Sequence, residues 1–423
     1  MFIAIQLGKA TAAVACTLGL SFTAPLTGRA ANLPNRSRQQ VLPPITEFQH
    51  LLPAARRGSP SAQFTIGWCY EHGHDVRKNA SRAAKWYRLS ANQGYARAEC
   101  NLGWMYLRGK GVGKDFVRAA KWLERAANQG DATAQFDMGL IELSGSGVQK
   151  SPVRAAQWFR QAARQGYTPA QSHLANMYFL GNGLPRDYSK AAKWYRRAGE
   201  QLDAPSQFGL GYLYQNGLGV RQDDVAAARW YRRAALQGYA PAEFDLGWLY
   251  SKGQGIGRNR LLAISWYKKA AASGFAPAEF NMGRIYERGD GVARSYTKAA
   301  AWFRMAAESG DTRASTNLGL LYLDGTVGIQ DLAKARRWLS RAAQGGSALA
   351  ALQLGKYLAK RPGKSVEAYK WLVICTRIRP AGHREGPARV AMGRLAGRMS
   401  IRQIATAEAQ AARWLKGVPP RHR

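Results

Sequence analysis

Small and aromatic apolar residues return along this chain with one fixed period. Glycine stands at Gly67, Gly103, Gly139, Gly211, Gly247, Gly283, Gly319 and Gly355 on a 36-residue spacing, with Ala175 at the one gap. Tryptophan keeps the same period without a gap, at Trp86, Trp122, Trp158, Trp194, Trp230, Trp266, Trp302 and Trp338. A period of this length marks a repeat architecture. In the copy running from Tyr239 to Gly274, Ala242, Leu246, Leu249, Tyr250 and Gly253 fall at spacings of three and four, which predicts a helix, here helix A. Gly253 and Gly255 end it. Ala263, Trp266, Tyr267, Ala270 and Ala271 share one face of a second helix, helix B, which Gly274 stops. The same stop recurs at Gly94, Gly130, Gly166, Gly238, Gly310 and Gly346, with Leu202 the exception.

Each copy is therefore a helix hairpin, and one hairpin cannot cover its own apolar face, so copies must stack. The predicted class is all-α. A mid-helix glycine costs about 1 kcal/mol relative to alanine, so its recurrence implies that a neighbouring helix crosses closely there. The tryptophans are read as large wedges between layers.

Ala98, Leu102, Gly103, Tyr106, Gly109, Gly111 and Val112, followed by Ala119, Ala120, Trp122, Ala126, Ala127 and Gly130, carry a further implication. This pattern resembles the Sel-one-like repeat family, relatives of the tetratricopeptide repeat, over about three quarters of the chain. The resemblance implies a right-handed α-solenoid superhelix of about nine 36-residue hairpins with terminal capping helices. Departures are local: Glu142 replaces a helix A tyrosine, Val327 replaces a loop glycine, and Trp371 follows Gly355 by 16 residues instead of 19.

Taken in order, residues 1–31 read as a secretory signal peptide, with Lys9 before an apolar run and cleavage near Ala30 or Ala31. An uncleaved anchor and a lipoprotein acylated at Cys16 are the competing readings. Residues 32–44 read as a linker, 45–58 as an N-terminal capping helix with His50 in the tryptophan position, 59–380 as the solenoid, and 381–423 as a C-terminal capping helix with a basic tail. In that last segment Ser400 is placed to cap a helix whose face Ile401, Ile404, Ala405, Ala412 and Leu415 would dock on the last hairpin.

Charge adds a second theme. Lysine and arginine number 62 against 26 acidic residues, a net charge of +36. Helix B holds most of the excess, as at Arg118, Lys121 and Arg125, while helix A is neutral or slightly acidic, with Glu99, Asp137, Glu243, Asp245 and Glu279. Such a field attracts polyanions. The resemblance places helix A along a concave groove and helix B on the outer wall. It implies a protein-binding scaffold or adaptor that takes a protein or peptide segment in the groove. Tyr106, Tyr178, Tyr214, Tyr250, Tyr286 and Tyr322, with Tyr70, are the candidate groove-binding residues. The alternative partner is an anionic envelope polysaccharide or lipid head group on the basic wall. No nucleic-acid fold signature is present in the sequence. With a signal peptide, the expected location is periplasmic or secreted.

Nothing in the sequence points to catalysis or to a cofactor. Glycine pairs such as Gly109 and Gly111 lie between helices, not after a strand, which excludes a dinucleotide loop. Cys69, His72 and His74 are close enough in sequence to suggest metal ligands, but the helix would turn Cys69 inward while both histidines sit in a loop. Cys69, Cys100 and Cys375 are expected to be buried thiols, since Cys69 and Cys100 sit at different levels of their helices. Some cysteine-rich relatives are linked to β-lactam binding or hydrolysis, but the paired cysteines that mark them are missing here.

Overall fold

The computed structural model describes residues 48–328, 330–378 and 386–417. The signal, linker and tail readings fall outside these residues. The described residues form 21 α-helices. They belong to two compact units that divide between Ala234 and Ala235. In the first, a helix at Phe48–Arg56 precedes the hairpins Pro60–His72/Ala80–Asn92, Ala96–Arg108/Phe116–Asn128, Ala132–Ser144/Pro152–Arg164 and Thr168–Leu180/Tyr188–Glu200, and then the fifth, Ala204–Asn216/Asp224–Leu236, in whose second helix the division falls. The second holds Ala240–Lys252/Arg260–Ala272, Ala276–Arg288/Tyr296–Glu308, Thr312–Asp324/Leu332–Gln344 and Ala348–Ala359/Ser365–Ile378, followed by two terminal helices. This is an all-α solenoid of repeated hairpins.

Local chemistry sets the boundaries. Asn79, Asp115, Ser151, Asp187, Asn259, Ser295 and Asp331 each cap a helix B by accepting a backbone N–H three residues on. The same cap residues donate their own backbone N–H to the carbonyl three residues beyond the helix A glycine, as Asp115 does to Tyr106 at 3.0 Å. That bond closes the hairpin. Helix B normally ends on a left-handed glycine, but Leu202 holds φ +67° there while its side chain is 72% exposed. A left-handed conformation strains a side-chain-bearing residue by about 1–2 kcal/mol. Leu202→Gly should therefore raise stability by about 1 kcal/mol, read as a higher urea midpoint; an unchanged midpoint would mean the strain is relieved elsewhere.

The repeat glycines pack against helix B of their own hairpin. A Cβ added at Gly103 would lie 2.6 Å from Leu123, at Gly139 2.4 Å from Phe159, and at Gly319 2.6 Å from Leu339. The contacting residue is the one after the tryptophan. Tyr87, Leu123, Phe159, Tyr231, Phe303 and Leu339 are all fully buried. The tryptophans are less enclosed: Trp266 and Trp338 are buried, but Trp86, Trp122, Trp158, Trp194, Trp230 and Trp302 are half-buried. They pack on the preceding layer, Trp158 against the cluster of Cys100, Leu123 and Met138, for example. The wedge is thus a pair of adjacent residues, and the second is the more enclosed.

Ala175 shows how the rule is kept when its glycine is lost. It is buried in one cluster with Tyr195, and that ring finds clearance in the next hairpin at Gly209, where a Cβ would lie 2.9 Å from Tyr195 Cζ. Other copies carry a larger residue at that position, including Asn101, Asp137 and Asn281.

A polar ladder fixes the register between hairpins. Gln135 donates from Nε2 to the Ala127 carbonyl at 3.1 Å and accepts from Gln165 Nε2 at 2.9 Å. Gln171 repeats this with Ala163 and Gln201. These buried amides satisfy helix-terminal carbonyls, so a slipped register would leave both groups unpaired.

At the C terminus Ser400 and Gln403 form a capping box on the helix Ile401–Lys416. The docking face differs from expectation. Ala407 and Ala411 are buried, Trp414 meets Trp371 edge-on at 5.3 Å, and Ile401 is 88% exposed. Of the expected stripe, Ile401 and Ala405 are exposed and Ala412 is half-buried, because the helix is oriented with Trp414 on Trp371. Ile404 and Leu415 remain partly buried at its edge. A helix at Gly386–Ala396, not foreseen in the sequence, precedes it.

Candidate functional site

The helix A tyrosines are largely enclosed. Tyr106, Tyr178 and Tyr322 are buried, and Tyr70, Tyr214, Tyr250 and Tyr286 are half-buried. Each sits three residues after its repeat position, in the seam between two helices B. From the preceding hairpin an arginine donates to the phenol oxygen: Arg88 to Tyr106 at 2.8 Å, Arg160 to Tyr178 at 3.1 Å, Arg304 to Tyr322 at 2.6 Å, and Arg196 to Tyr214. From the tyrosine's own hairpin a cation lies over the ring: Arg118 at 5.8 Å from Tyr106, Lys190 at 5.6 Å from Tyr178, Lys298 at 5.6 Å from Tyr286, and Lys334 at 5.5 Å from Tyr322. Burying a ring between two cations is favourable only because the phenol oxygen accepts one and the π face attracts the other.

Around Tyr106 this arrangement opens into a shallow cleft of about 400 Å³, lined by Arg88, Tyr106, Val112, Gly113, Lys114, Asp115 and Arg118. Arg118 pairs with its cap residue Asp115 at 3.3 Å. Arg88 and Lys114 pair with no carboxylate among the described residues. The cleft is cationic and solvent-facing.

The third hairpin has the opposite polarity. Glu142 stands in the tyrosine position and Glu124 in the arginine position. Arg154 bridges both, 3.0 Å from Glu142 and 3.5 Å from Glu124. Burial pushes the Glu142 carboxyl up and Glu124 adds to this, while Arg154 pulls it back down.

Four of the five acidic residues named on helix A are buried rather than presented to a ligand. Glu99 is fully buried, 2.8 Å from Arg125, and accepts from Gln129 at 2.7 Å. Arg125 in turn covers Trp122 at 4.7 Å. Asp137 accepts the Trp104 indole N–H. Burial raises the carboxyls of Glu99, Glu243 and Glu279 above the ordinary range, with Arg125 and Lys269 opposing it at the first two. Asp245 is half-buried by exposed area, and loss of solvation raises it to about 7. Asp137 joins two hairpins, whereas Glu99 ties helix A to helix B within its own.

Cys69, Cys100 and Cys375 are buried and take part in no disulfide among the described residues. His72 stacks on Trp68 with centroids 4.4 Å apart, and His74 faces Asp75 at 3.4 Å, so neither histidine converges on Cys69. Among the described residues no three His, Cys, Asp or Glu side chains form a metal cluster.

The arginine–tyrosine seam is visible in the sequence in retrospect. Eighteen residues before Tyr106, Tyr178, Tyr214 and Tyr322 stands an arginine, before Tyr286 a lysine, and before Glu142 a glutamate. A spacing of 18 is half the repeat, so it acquires meaning only once the hairpins are stacked.

Comparison with known proteins agrees with this geometry. The Sel1 repeat family model matches residues 60–95, 96–131, 132–167, 168–201, 204–239, 240–275, 276–311 and 312–347. A Sel1 repeat protein from Oxalobacter formigenes is similar in structure at 32% identity and a TM-score of 0.62, covering 74% of this chain and 90% of that one. A protective antigen of uropathogenic Escherichia coli strains with an SLR fold is similar at 27% identity and a TM-score of 0.52, covering 88% of this chain and 95% of that one. The chitin synthase regulator SKT5 of Saccharomyces cerevisiae is 50% identical over 44 residues, which are 10% of this chain and 6% of the yeast protein.

Proposed function

The chain belongs to the Sel1 repeat family, and we propose that it is a non-catalytic scaffold that binds a protein partner in the bacterial envelope or the secreted space. Sel1 repeat proteins are in general protein-interaction scaffolds. The observation that carries the reading is one surface position repeated over a common core. The residue before each helix B tryptophan is exposed, and it changes from Lys85 to Gln157, Arg229, Ser265 and Ala301. A constant core with variable, aligned surface positions suits recognition of an extended partner. The location rests on the apolar segment after Lys9.

The test is capture from envelope extract with residues 32–423 at roughly 50 and 300 mM salt, which brackets physiological screening. A defined protein retained at the higher salt, and rebound when purified, is the expected result. Capture only of anionic polymer or lipid, lost at the higher salt, would replace the scaffold reading with the basic-wall alternative.

A further inference from the structure

The cationic seam has a chemistry that the scaffold reading leaves unspecified. In the Tyr106 cleft the phenol oxygen already accepts the Arg88 N–H, so its own hydrogen is left to donate outward. The Lys114 ammonium and the Arg88 and Arg118 guanidiniums border the same space and are exposed. The arrangement recurs in the same unit at Tyr178. Arg160 donates to the phenol, Lys190 lies over the ring, and Arg186 occupies the loop position of Lys114. The matching loop contacts make the equivalence structural: a Cβ on Gly109 would meet Lys114 Cβ at 3.2 Å, and one on Gly181 would meet Arg186 Cβ at 3.1 Å.

Between these two clefts the fold supplies its own occupant. Glu142 places a carboxylate in the seam, and Arg154, the counterpart of Arg118 and Lys190, binds it at 3.0 Å. The seam is therefore built to hold a carboxylate against the cation at the start of helix B. At Tyr106 and Tyr178 a phenol stands where Glu142 places its carboxylate, Arg118 and Lys190 meet only the cap residues Asp115 at 3.3 Å and Asp187 at 2.9 Å among the described residues, and an extra cation, Arg88 or Arg160, takes the place of Glu124. A planar guanidinium fork beside a hydroxyl donor matches the geometry of a carboxylate.

We propose that the Arg88–Tyr106–Lys114–Arg118 cleft and the Arg160–Tyr178–Arg186–Lys190 cleft receive acidic side chains from a bound protein segment. This rests on the scaffold reading and names the chemistry of its partner.

The test uses residues 32–423 and a fluorescein-labelled deca-glutamate peptide, with deca-glutamine as the neutral control, followed by anisotropy at about 50 and 150 mM salt. Arg88→Gln with Arg160→Gln should weaken deca-glutamate binding about tenfold. Lys78→Gln with Lys150→Gln removes the same charge from exposed loop positions outside the clefts and should weaken it by less than about threefold. Tyr106→Phe with Tyr178→Phe deletes the outward donors together with the acceptors of the Arg88 and Arg160 N–H groups and should cost about threefold. Equal losses in the arginine and lysine pairs would reduce the effect to the general field and overturn the proposal. No deca-glutamate binding, or inorganic polyphosphate or alginate bound tenfold tighter than deca-glutamate, would also overturn it. The two readings separate in the capture experiment. A protein retained equally by wild type and by Arg88→Gln/Arg160→Gln leaves the scaffold standing and removes the clefts. Deca-glutamate binding with no protein captured removes the scaffold.

Discussion

Phe159→Ala should lower the stability of the first unit by about 3–5 kcal/mol, more than Trp158→Ala, which should cost about 1–2 kcal/mol. Phe159 is fully buried, with Gly139 directly beneath its ring, Phe136 at 5.5 Å and His173 stacked at 5.2 Å. Removing the ring leaves a hole bounded by helix backbone, which cannot close without separating the hairpin. Trp158 is half-buried and loses contacts on one side only. Urea unfolding followed by circular dichroism gives both values. An equal or larger loss for Trp158→Ala would return the main wedge to the tryptophan.

Gly147→Ala should cost about 3 kcal/mol or more, an unusually large effect for one added methyl. Gly147 has φ +78°, and a Cβ there would lie 2.3 Å from the Phe116 carbonyl oxygen and 2.4 Å from its carbon. Two effects therefore add. The left-handed backbone strains any side chain, and the obstacle is the first turn of the preceding helix B, which cannot rotate aside as a side chain would. Gly113→Ala is the control: no atom lies within 4 Å of a Cβ there and its φ is not positive, so stability should change by less than about 0.5 kcal/mol. Both variants are read by thermal melting. Matching melts for the two would show that the loop of the third hairpin is not clamped by its neighbour. The eighth hairpin has escaped this clamp. Val327 occupies the equivalent position and packs into the C-terminal core, while Gly328 takes the positive φ at +116°.

By itself the sequence determined the repeat, the two helices of each copy, their ends, the burial of the cysteines and the excess of surface cations. These features are local, or follow directly from the period. A cap such as Asp115 bonds three residues away, and a recurring glycine signals a close approach whatever lies opposite. The tertiary structure alone decided what lay opposite. The 36-residue period makes Tyr106, Tyr178 and Tyr322 equivalent to one another. It does not say that an arginine from the neighbouring hairpin reaches each phenol, which depends on how adjacent layers cross. Glu99 reads as a groove carboxylate until Arg125 and Gln129, from the second half of its own hairpin, are seen to enclose it. Gly209 likewise looks incidental until the Tyr195 ring is found against it. The C-terminal helix turned its Ala407 and Ala411 face inward because Trp414 meets Trp371 across 43 residues of chain. Periodicity identifies equivalent positions; packing between layers decides which of them face a neighbour and which face solvent.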